Sequence, residues 1–84
     1  MNPETLAALQ ASIAKWRRVC LNPSEVQEDC PLCDLFRKIG CDGCPVFTRT
    51  RYPYCLATPY IAWYFDHSPI HALAELRFLE SLLP

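Results

Sequence analysis

The sequence predicts a small, mainly α-helical single domain over residues 1–84 that is held together by a cluster of cysteines. Two segments, one near each end, carry apolar residues at the three- and four-residue steps of an amphipathic helix. Between them, four of the six cysteines form two C-x-x-C pairs. A chain of 84 residues is near the size at which an apolar core alone gives only a small margin of stability. Its hydrophobic content of 51% excludes a disordered chain, so we expect a folded domain in which the cysteines add a cross-link.

The first predicted element is an amphipathic helix over residues 3–20. Asn2 can cap the first orphan amides, and Pro3 suits the first helical position because proline has no amide to lose there. Apolar residues then recur at helical spacing: Leu6, Leu9, Ile13, Trp16 and Val19.

The middle of the chain, residues 28–58, is predicted to form the cysteine cluster. Asn22-Pro23-Ser24 ends the first helix. Residues 34–39 have helical spacing for about two turns, and Gly40 can supply a left-handed stop. From residue 45 to residue 53, β-branched and aromatic residues alternate with polar ones between bracketing prolines, so we expect an extended arm.

Two further helices are predicted over residues 59–83. Thr58-Pro59 and Ser68-Pro69 each pair a capping side chain with a proline, as helix starts do. The second of these helices should run to Leu83. Its apolar face consists of Ile70, Leu73, Leu76, Leu79, Leu82 and Leu83. We expect this face to pack against the first helix.

The cysteine pairs carry the clearest chemistry in the sequence. Their members are Cys30, Cys33, Cys41 and Cys44. A C-x-x-C turn places two sulfurs on one side of a tight bend, and two such turns can surround one tetrahedral ion. Gly43 relieves the backbone near that ion, while Pro31 and Pro45 stiffen the bends. Four thiolates leave no open coordination position, so the expected zinc ion would stabilise the fold, with the terminal helices packing around a zinc-knuckle-like centre.

Other assignments for the cysteines stay open. Cys30 and Cys33 could form a disulfide or a redox couple, although no βαβ pattern surrounds them. A four-cysteine site also suits an iron–sulfur cluster. Cys55 could replace Cys41 as the fourth ligand, because the seven residues between the pairs make a tight loop. Cys20 is in phase with the apolar face of the first helix and is expected to be a small buried hydrophobe.

The charge pattern is mild. A formal net charge of -1 gives the chain no general attraction for nucleic acid or an anionic membrane, yet seven of the eight basic residues lie between Lys15 and Arg51. Residues 48–54 interleave cations with tyrosines, as segments that contact phosphates and bases do. A simpler explanation for the basic residues of the first helix is a solvated helix end, and for residues 48–54 it is a polar-edged arm. The candidate partner-binding residues are Lys15, Arg17, Arg18, Arg49, Arg51, Tyr52 and Tyr54.

Two residue groups have ordinary explanations beside functional ones. His67 and His71 have the i, i+4 spacing of a zinc helix, but a helix start at Ser68-Pro69 places His67 outside that helix. We therefore expect a solvated or capping role for the pair. The aromatic residues exceed what a domain of this size can bury, so part of residues 60–65 should be exposed as a binding surface.

The location and the class of activity follow from signals that the sequence lacks. No apolar stretch reaches the length of a membrane span, and no charged segment precedes a long apolar run at the N-terminus. We therefore expect a cytoplasmic protein, where reduced thiols favour metal ligation. The sequence has no phosphate-cradling glycine loop or nucleophile elbow, so we expect no enzymatic activity.

Several segments occur in a distinctive order. They are Ser12-Ile-Ala-Lys-Trp16, the two C-x-x-C pairs, Cys55 and Thr58-Pro-Tyr-Ile-Ala-Trp63. Together they resemble an uncharacterised family of small cysteine-cluster proteins from bacteriophages and prophages. The resemblance covers residues 12–63 and implies a mobile-element accessory protein in the cytoplasm of a bacterial host. Inhibition of a host defence system, as by anti-CRISPR proteins, is one occupation of such proteins.

These observations lead to two expected functions. The first is a zinc-stabilised, non-enzymatic binding module that acts through a host or phage protein. The alternative is a zinc-dependent, nucleic-acid-binding regulatory protein that uses the basic residues above, and it predicts steeply salt-dependent binding.

Overall fold

The computed structural model describes residues 1–22, 31–36, 39–40, 43–52 and 58–84. The described residues form five helices: α1 (Pro3–Leu21), α2 (Pro31–Phe36), α3 (Pro45–Thr50), α4 (Tyr60–Asp66) and α5 (Pro69–Glu80). Because these ranges contain no strand, the predicted mainly α-helical class is confirmed for this part of the chain. None of the described helices combines the length and the apolarity needed to cross a bilayer.

Helix α1 begins as the sequence predicted. Asn2 Oδ1 accepts a hydrogen bond from the Thr5 amide at 2.7 Å, and Pro3 occupies the first turn. At the other end, the Asn22 amide donates to the Arg18 carbonyl at 2.8 Å. The buried face of α1 consists of Thr5, Leu9, Ser12, Ile13, Trp16 and Val19. This face packs against α5, as predicted, and against α2.

Two tryptophans lie in the buried core and join α1 to α4. Trp16 and Trp63 are 3% and 1% exposed, and their rings meet edge to face with centroids 5.1 Å apart. Tyr60 also meets Trp16 edge to face, at 5.9 Å. Edge-to-face pairs contribute about 0.5–1.5 kcal/mol beyond burial alone, so these rings fix how α4 lies on α1.

Helix α5 also starts at its predicted residues but is shorter than expected. Ser68 Oγ accepts a hydrogen bond from the Ile70 amide at 3.2 Å, and Pro69 takes the first helical position. The helix ends at Glu80 instead of Leu83, because the chain turns at Ser81. Arg17 of α1 reaches Glu80 at 3.3 Å, which adds an ion pair to the contact between the two helices.

The expected extended arm after Cys44 is wrong over its first six residues, which form α3. Pro45 occupies the first turn, where its missing amide costs nothing. Val46 is 3% exposed, so its burial in the core outweighs the β propensity that suggested a strand. The helix is short because Arg51 adopts a left-handed conformation with φ 66° and ends it.

The first cysteine pair differs in a related way. Helix α2 begins at Pro31, where a stiffened bend was expected, and is described as far as Phe36, because residues 37–38 lie outside the described residues. Gly40 does take the predicted left-handed conformation, with φ 68°. Both prolines that follow a cysteine, Pro31 and Pro45, thus start helices.

Candidate metal centre and binding surfaces

The described residues include two of the four predicted metal ligands. Cys33 lies in the first turn of α2 and is partly exposed, and Cys44 directly precedes α3 and is 8% exposed. The other candidates lie outside the described residues: Cys30, Cys41 and Cys55. Within the described ranges, no three His, Cys, Asp or Glu side chains converge as a metal site. The four-cysteine centre therefore stays a prediction.

Gly43, in the second C-x-x-C segment, packs against the helix that carries Cys33. Its φ of +86° is a backbone conformation that residues with a Cβ rarely adopt, so this position favours glycine. A Cβ built at Gly43 would lie 3.4 Å from Phe36 Cε1 in α2. Phe36 is itself 9% exposed, so this is a packed contact inside the fold. Gly43, which lies between Cys41 and Cys44 in the sequence, thus packs against α2, the helix that carries Cys33.

Ser12 positions the start of α2. Its side chain is fully buried, and Ser12 Oγ accepts a long hydrogen bond of 3.4 Å from the Leu32 amide. The same hydroxyl donates to the Ala8 carbonyl at 2.9 Å. The Leu32 amide is one of those at a helix start that have no partner within the helix. Sequence reasoning missed this role, and its only signal was a serine among the apolar residues of the first helix.

Glu75 is a second residue that sequence reasoning missed. It is 1% exposed, and its Oε2 accepts a hydrogen bond from Thr58 Oγ1 at 3.0 Å. The Thr58 hydroxyl also accepts from the Tyr60 amide at 3.2 Å, so it caps the start of α4. The signal was present in the sequence, because Glu75 lies at helical spacing among Ala72, Leu76 and Leu79.

Cys20 differs from the candidate ligands. It lies on α1, partly buried against the core, and burial raises the pKa of its thiol. A raised pKa keeps the sulfur protonated at neutral pH, whereas a metal ligand must be a thiolate. These observations agree with the expected packing role.

The five candidate cations divide into two sets. Arg17 pairs with Glu80 across the α1–α5 contact, and Lys15 and Arg18 are engaged as well. By contrast, the side chains of Arg49 and Arg51 form no hydrogen bond or ion pair with the described residues. Of the two tyrosines in this set, Tyr52 is 58% exposed and Tyr54 lies outside the described residues.

Arg49 and Arg51 lie beside a groove between the first turn of α1 and α3. The groove has a volume of about 640 Å³, within the range of ligand-binding clefts. Its lining includes both arginines together with Thr5, Thr48, Pro45 and Leu82. We call it the α1–α3 groove.

Apolar side chains are exposed where α4 meets α5. Phe65 and Ile70 are 79% and 77% exposed, and Tyr64 and Leu73 are 58% and 45% exposed. The rings of Tyr64 and Phe65 touch edge to face with centroids 5.6 Å apart. We call these four residues the α4–α5 corner. They confirm that part of the aromatic segment is exposed.

The two histidines do not act as a pair. His67 lies outside α5, as predicted, with φ 53°, and its ring packs on Trp63 with centroids 4.4 Å apart. His71 Nδ1 instead lies 2.9 Å from Asp66 Oδ1, and the Ser68 amide donates to the same oxygen at 2.9 Å. The His71 contact and the Ser68 amide lower the pKa of the Asp66 carboxyl. These residues fix the turn between α4 and α5.

No protein-family model, curated protein or solved structure matches this chain.

Proposed function

We propose that the protein is a zinc-stabilised, non-enzymatic binding module of phage or mobile-element origin that acts by binding a host or phage protein. Inhibition of a host defence system, as by anti-CRISPR proteins, is the occupation we propose for it. The origin rests on the motif residues between Ser12 and Trp63. The observation that carries protein binding is the exposed α4–α5 corner.

The α4–α5 corner leaves large apolar side chains exposed to water. Phe65 and Ile70 are more than three-quarters exposed. Burying one such side chain against a partner would contribute about 1.5–3 kcal/mol. Aromatic residues also anchor many protein interfaces, because their large rigid rings lose little conformational entropy on binding.

Zinc is supported by the surroundings of the second cysteine pair. Cys44 is buried, and Gly43 combines a positive φ with a close approach to Phe36. We propose Cys30, Cys33, Cys41 and Cys44 as the ligands, or Cys55 in place of Cys41; of these, Cys33 and Cys44 lie within the described residues. Bound there, zinc would supply cross-linking of the chain and no chemical step.

Nucleic-acid binding, the alternative, has less support. It needs several unengaged cations along one surface, since each neutralised phosphate adds to affinity. Arg17 already pairs with Glu80, and Lys15 and Arg18 are engaged. Of the five candidate cations, this leaves Arg49 and Arg51 for phosphate contacts.

The test compares bacterial proteins captured by the full zinc-loaded chain and by a variant with Phe65→Ser and Ile70→Ser. The matched control is Leu21→Ser, which removes an equally exposed apolar residue, 87% exposed, at the far end of α1. We expect a partner that the wild type and the control retain and the double variant loses. The purified partner should then bind the wild type and the control more tightly than the double variant. Equal capture by all three proteins contradicts the proposed surface.

A further inference from the structure

The α1–α3 groove has a chemical character different from that of the α4–α5 corner. Its described lining includes two cations, Arg49 and Arg51, and no carboxylate. Thr5 and Thr48 supply hydroxyls, and Pro45 and Leu82 supply apolar surface. A groove with this lining favours a ligand that carries both negative charge and apolar groups.

The two arginines are available to such a ligand. Neither side chain forms an ion pair or hydrogen bond with the described residues, whereas Arg17 is held by Glu80. An arginine fork can bind a carboxylate through two parallel hydrogen bonds, and this geometry makes it selective for planar anions.

The backbone at Arg51 is strained, and hydrogen bonds hold it in that conformation. Its φ is 66°, a left-handed conformation that is uncommon for a residue with a long side chain. The Arg51 amide donates to the Phe47 carbonyl at 2.7 Å. One residue on, the Tyr52 amide donates to Thr50 Oγ1 at 3.2 Å, and both contacts hold the turn. A glycine would adopt this conformation without strain, so arginine here points to a use for its side chain.

We infer that the α1–α3 groove binds an acidic segment of a partner protein, with Arg49 and Arg51 pairing with its carboxylates and Leu82 contacting an apolar residue. This inference rests on the proposed protein-binding function but uses a different surface. A peptide fits better than a nucleic acid. Two arginines offer few phosphate contacts, and the described lining has no aromatic ring on which a base could stack.

The test measures binding to the full zinc-loaded chain by fluorescence polarisation. The probe is a labelled peptide of about ten residues that alternates glutamate and leucine pairs, long enough to cross one groove. A peptide with lysine in place of glutamate and a labelled single-stranded DNA of similar length complete the set. The variants are Arg49→Glu and Arg51→Gly, and the control is Arg77→Glu. Arg77 is an exposed arginine of α5 that does not line the groove.

We expect saturable binding of the glutamate peptide and none of the lysine peptide. Arg49→Glu and Arg51→Gly should each weaken binding about tenfold or more, and Arg77→Glu less than about twofold. Arg51→Gly guards against a folding artefact, because glycine relieves the strained backbone and should raise the melting temperature while binding falls.

Three results would overturn the inference. The first is that the wild type does not bind the glutamate peptide. The second is that Arg49→Glu and Arg77→Glu lose equal peptide affinity. The third is that the wild type binds the DNA more tightly than the peptide. Capture through the α4–α5 corner is measured with different variants, Phe65→Ser and Ile70→Ser. A failure of the groove is thus distinguishable from a failure of the proposed function.

Discussion

The hydroxyl of Thr58 donates a hydrogen bond to the carboxyl of Glu75 across 3.0 Å, joining the segment that leads into α4 to the buried face of α5. Both residues are buried, with Glu75 1% exposed. A buried carboxyl has lost its water and depends on protein donors to replace it. The pair therefore holds the segment that leads into α4 against α5.

We expect Glu75→Ala to lower the free energy of unfolding by about 2–3 kcal/mol, because it removes this hydrogen bond and leaves a cavity under α4. Urea denaturation measures the change. The control is Glu80→Ala, which breaks the exposed pair with Arg17 and should cost less than about 1 kcal/mol. Similar losses for the two variants would show that the buried pair has no special role.

Ser12 leads to a local prediction as well as a global one. Ser12→Ala should cost about 1 kcal/mol, because the Leu32 amide loses its partner at the start of α2. Amide hydrogen exchange should accelerate at Leu32 more than elsewhere, since that amide loses protection directly. Gln10→Ala changes an exposed position of α1 and should leave both measurements nearly unchanged. Uniform acceleration along the chain would contradict a specific role for Ser12.

Helix starts were predictable because they depend on neighbouring residues. Asn2 with Pro3 and Ser68 with Pro69 carry their own caps, and the structure contains both hydrogen bonds that these pairs imply. The packing of α1 on α5 was predictable because each has one apolar face of helical period.

Features that depend on distant residues were not predictable. The extended arm expected after Cys44 is a helix over its first six residues because Val46 packs in the core, which β propensity cannot indicate. Ser12 and Glu75 are polar residues on apolar helix faces, and sequence reasoning missed their roles because their partners are 20 and 17 residues away in the chain. For the same reason, spacing alone predicted which cysteines could ligate a metal but not that Gly43 packs against Phe36.

The stability of the turn between α4 and α5 should fall at acid pH, because it depends on the ionised carboxyl of Asp66. Its pKa lies below the usual 3.8, chiefly because His71 hydrogen bonds to the carboxyl and also because the Ser68 amide does. A lowered folded-state pKa means that the ionised carboxyl stabilises the fold above the unfolded-state value. That contribution is lost as the pH falls through the folded-state pKa.

The measurement is the difference in unfolding free energy between the wild type and Asp66→Asn across this range. We expect the wild-type advantage to shrink as the pH falls below about 4. Asp34→Asn is the control, because Asp34 is exposed and its side chain forms no hydrogen bond with the described residues. A difference that stays constant with pH would remove the role of Asp66.

The two glycines near the cysteine pairs should respond differently to substitution. Gly40 has φ 68° and open space around it, so Gly40→Ala and Gly40→Val should each cost about 1–2 kcal/mol from the backbone alone. At Gly43 the Cβ would lie 3.4 Å from the Phe36 ring. Gly43→Val should therefore cost clearly more than Gly43→Ala, because its branches meet that ring. Thermal unfolding of the four variants measures this, and equal steps at both glycines would count against the packed contact.

The predicted metal centre is tested by replacing single cysteines. Cys44→Ser and Cys33→Ser should each lower bound zinc well below the expected value of about one ion per chain and broaden the unfolding transition, since zinc binding is coupled to folding. Cys20→Ser should retain the ion, because burial raises the pKa of this thiol and disfavours the thiolate that a metal requires. Elemental analysis of the purified proteins measures zinc and iron together, and circular dichroism follows the fold after addition of a chelator.

The matched control makes this test specific, because all three variants replace sulfur by oxygen in one cysteine. If the wild type contains iron instead of zinc, the same cysteines would hold an iron–sulfur cluster. A wild type that keeps its helical signal and its melting temperature after chelation would contradict the metal centre, since an 84-residue chain with this core should lose stability without its cross-link. We expect Cys20 to have only a packing role, because it contacts the core. Equal zinc loss in Cys20→Ser would contradict this and would place a metal ligand on α1.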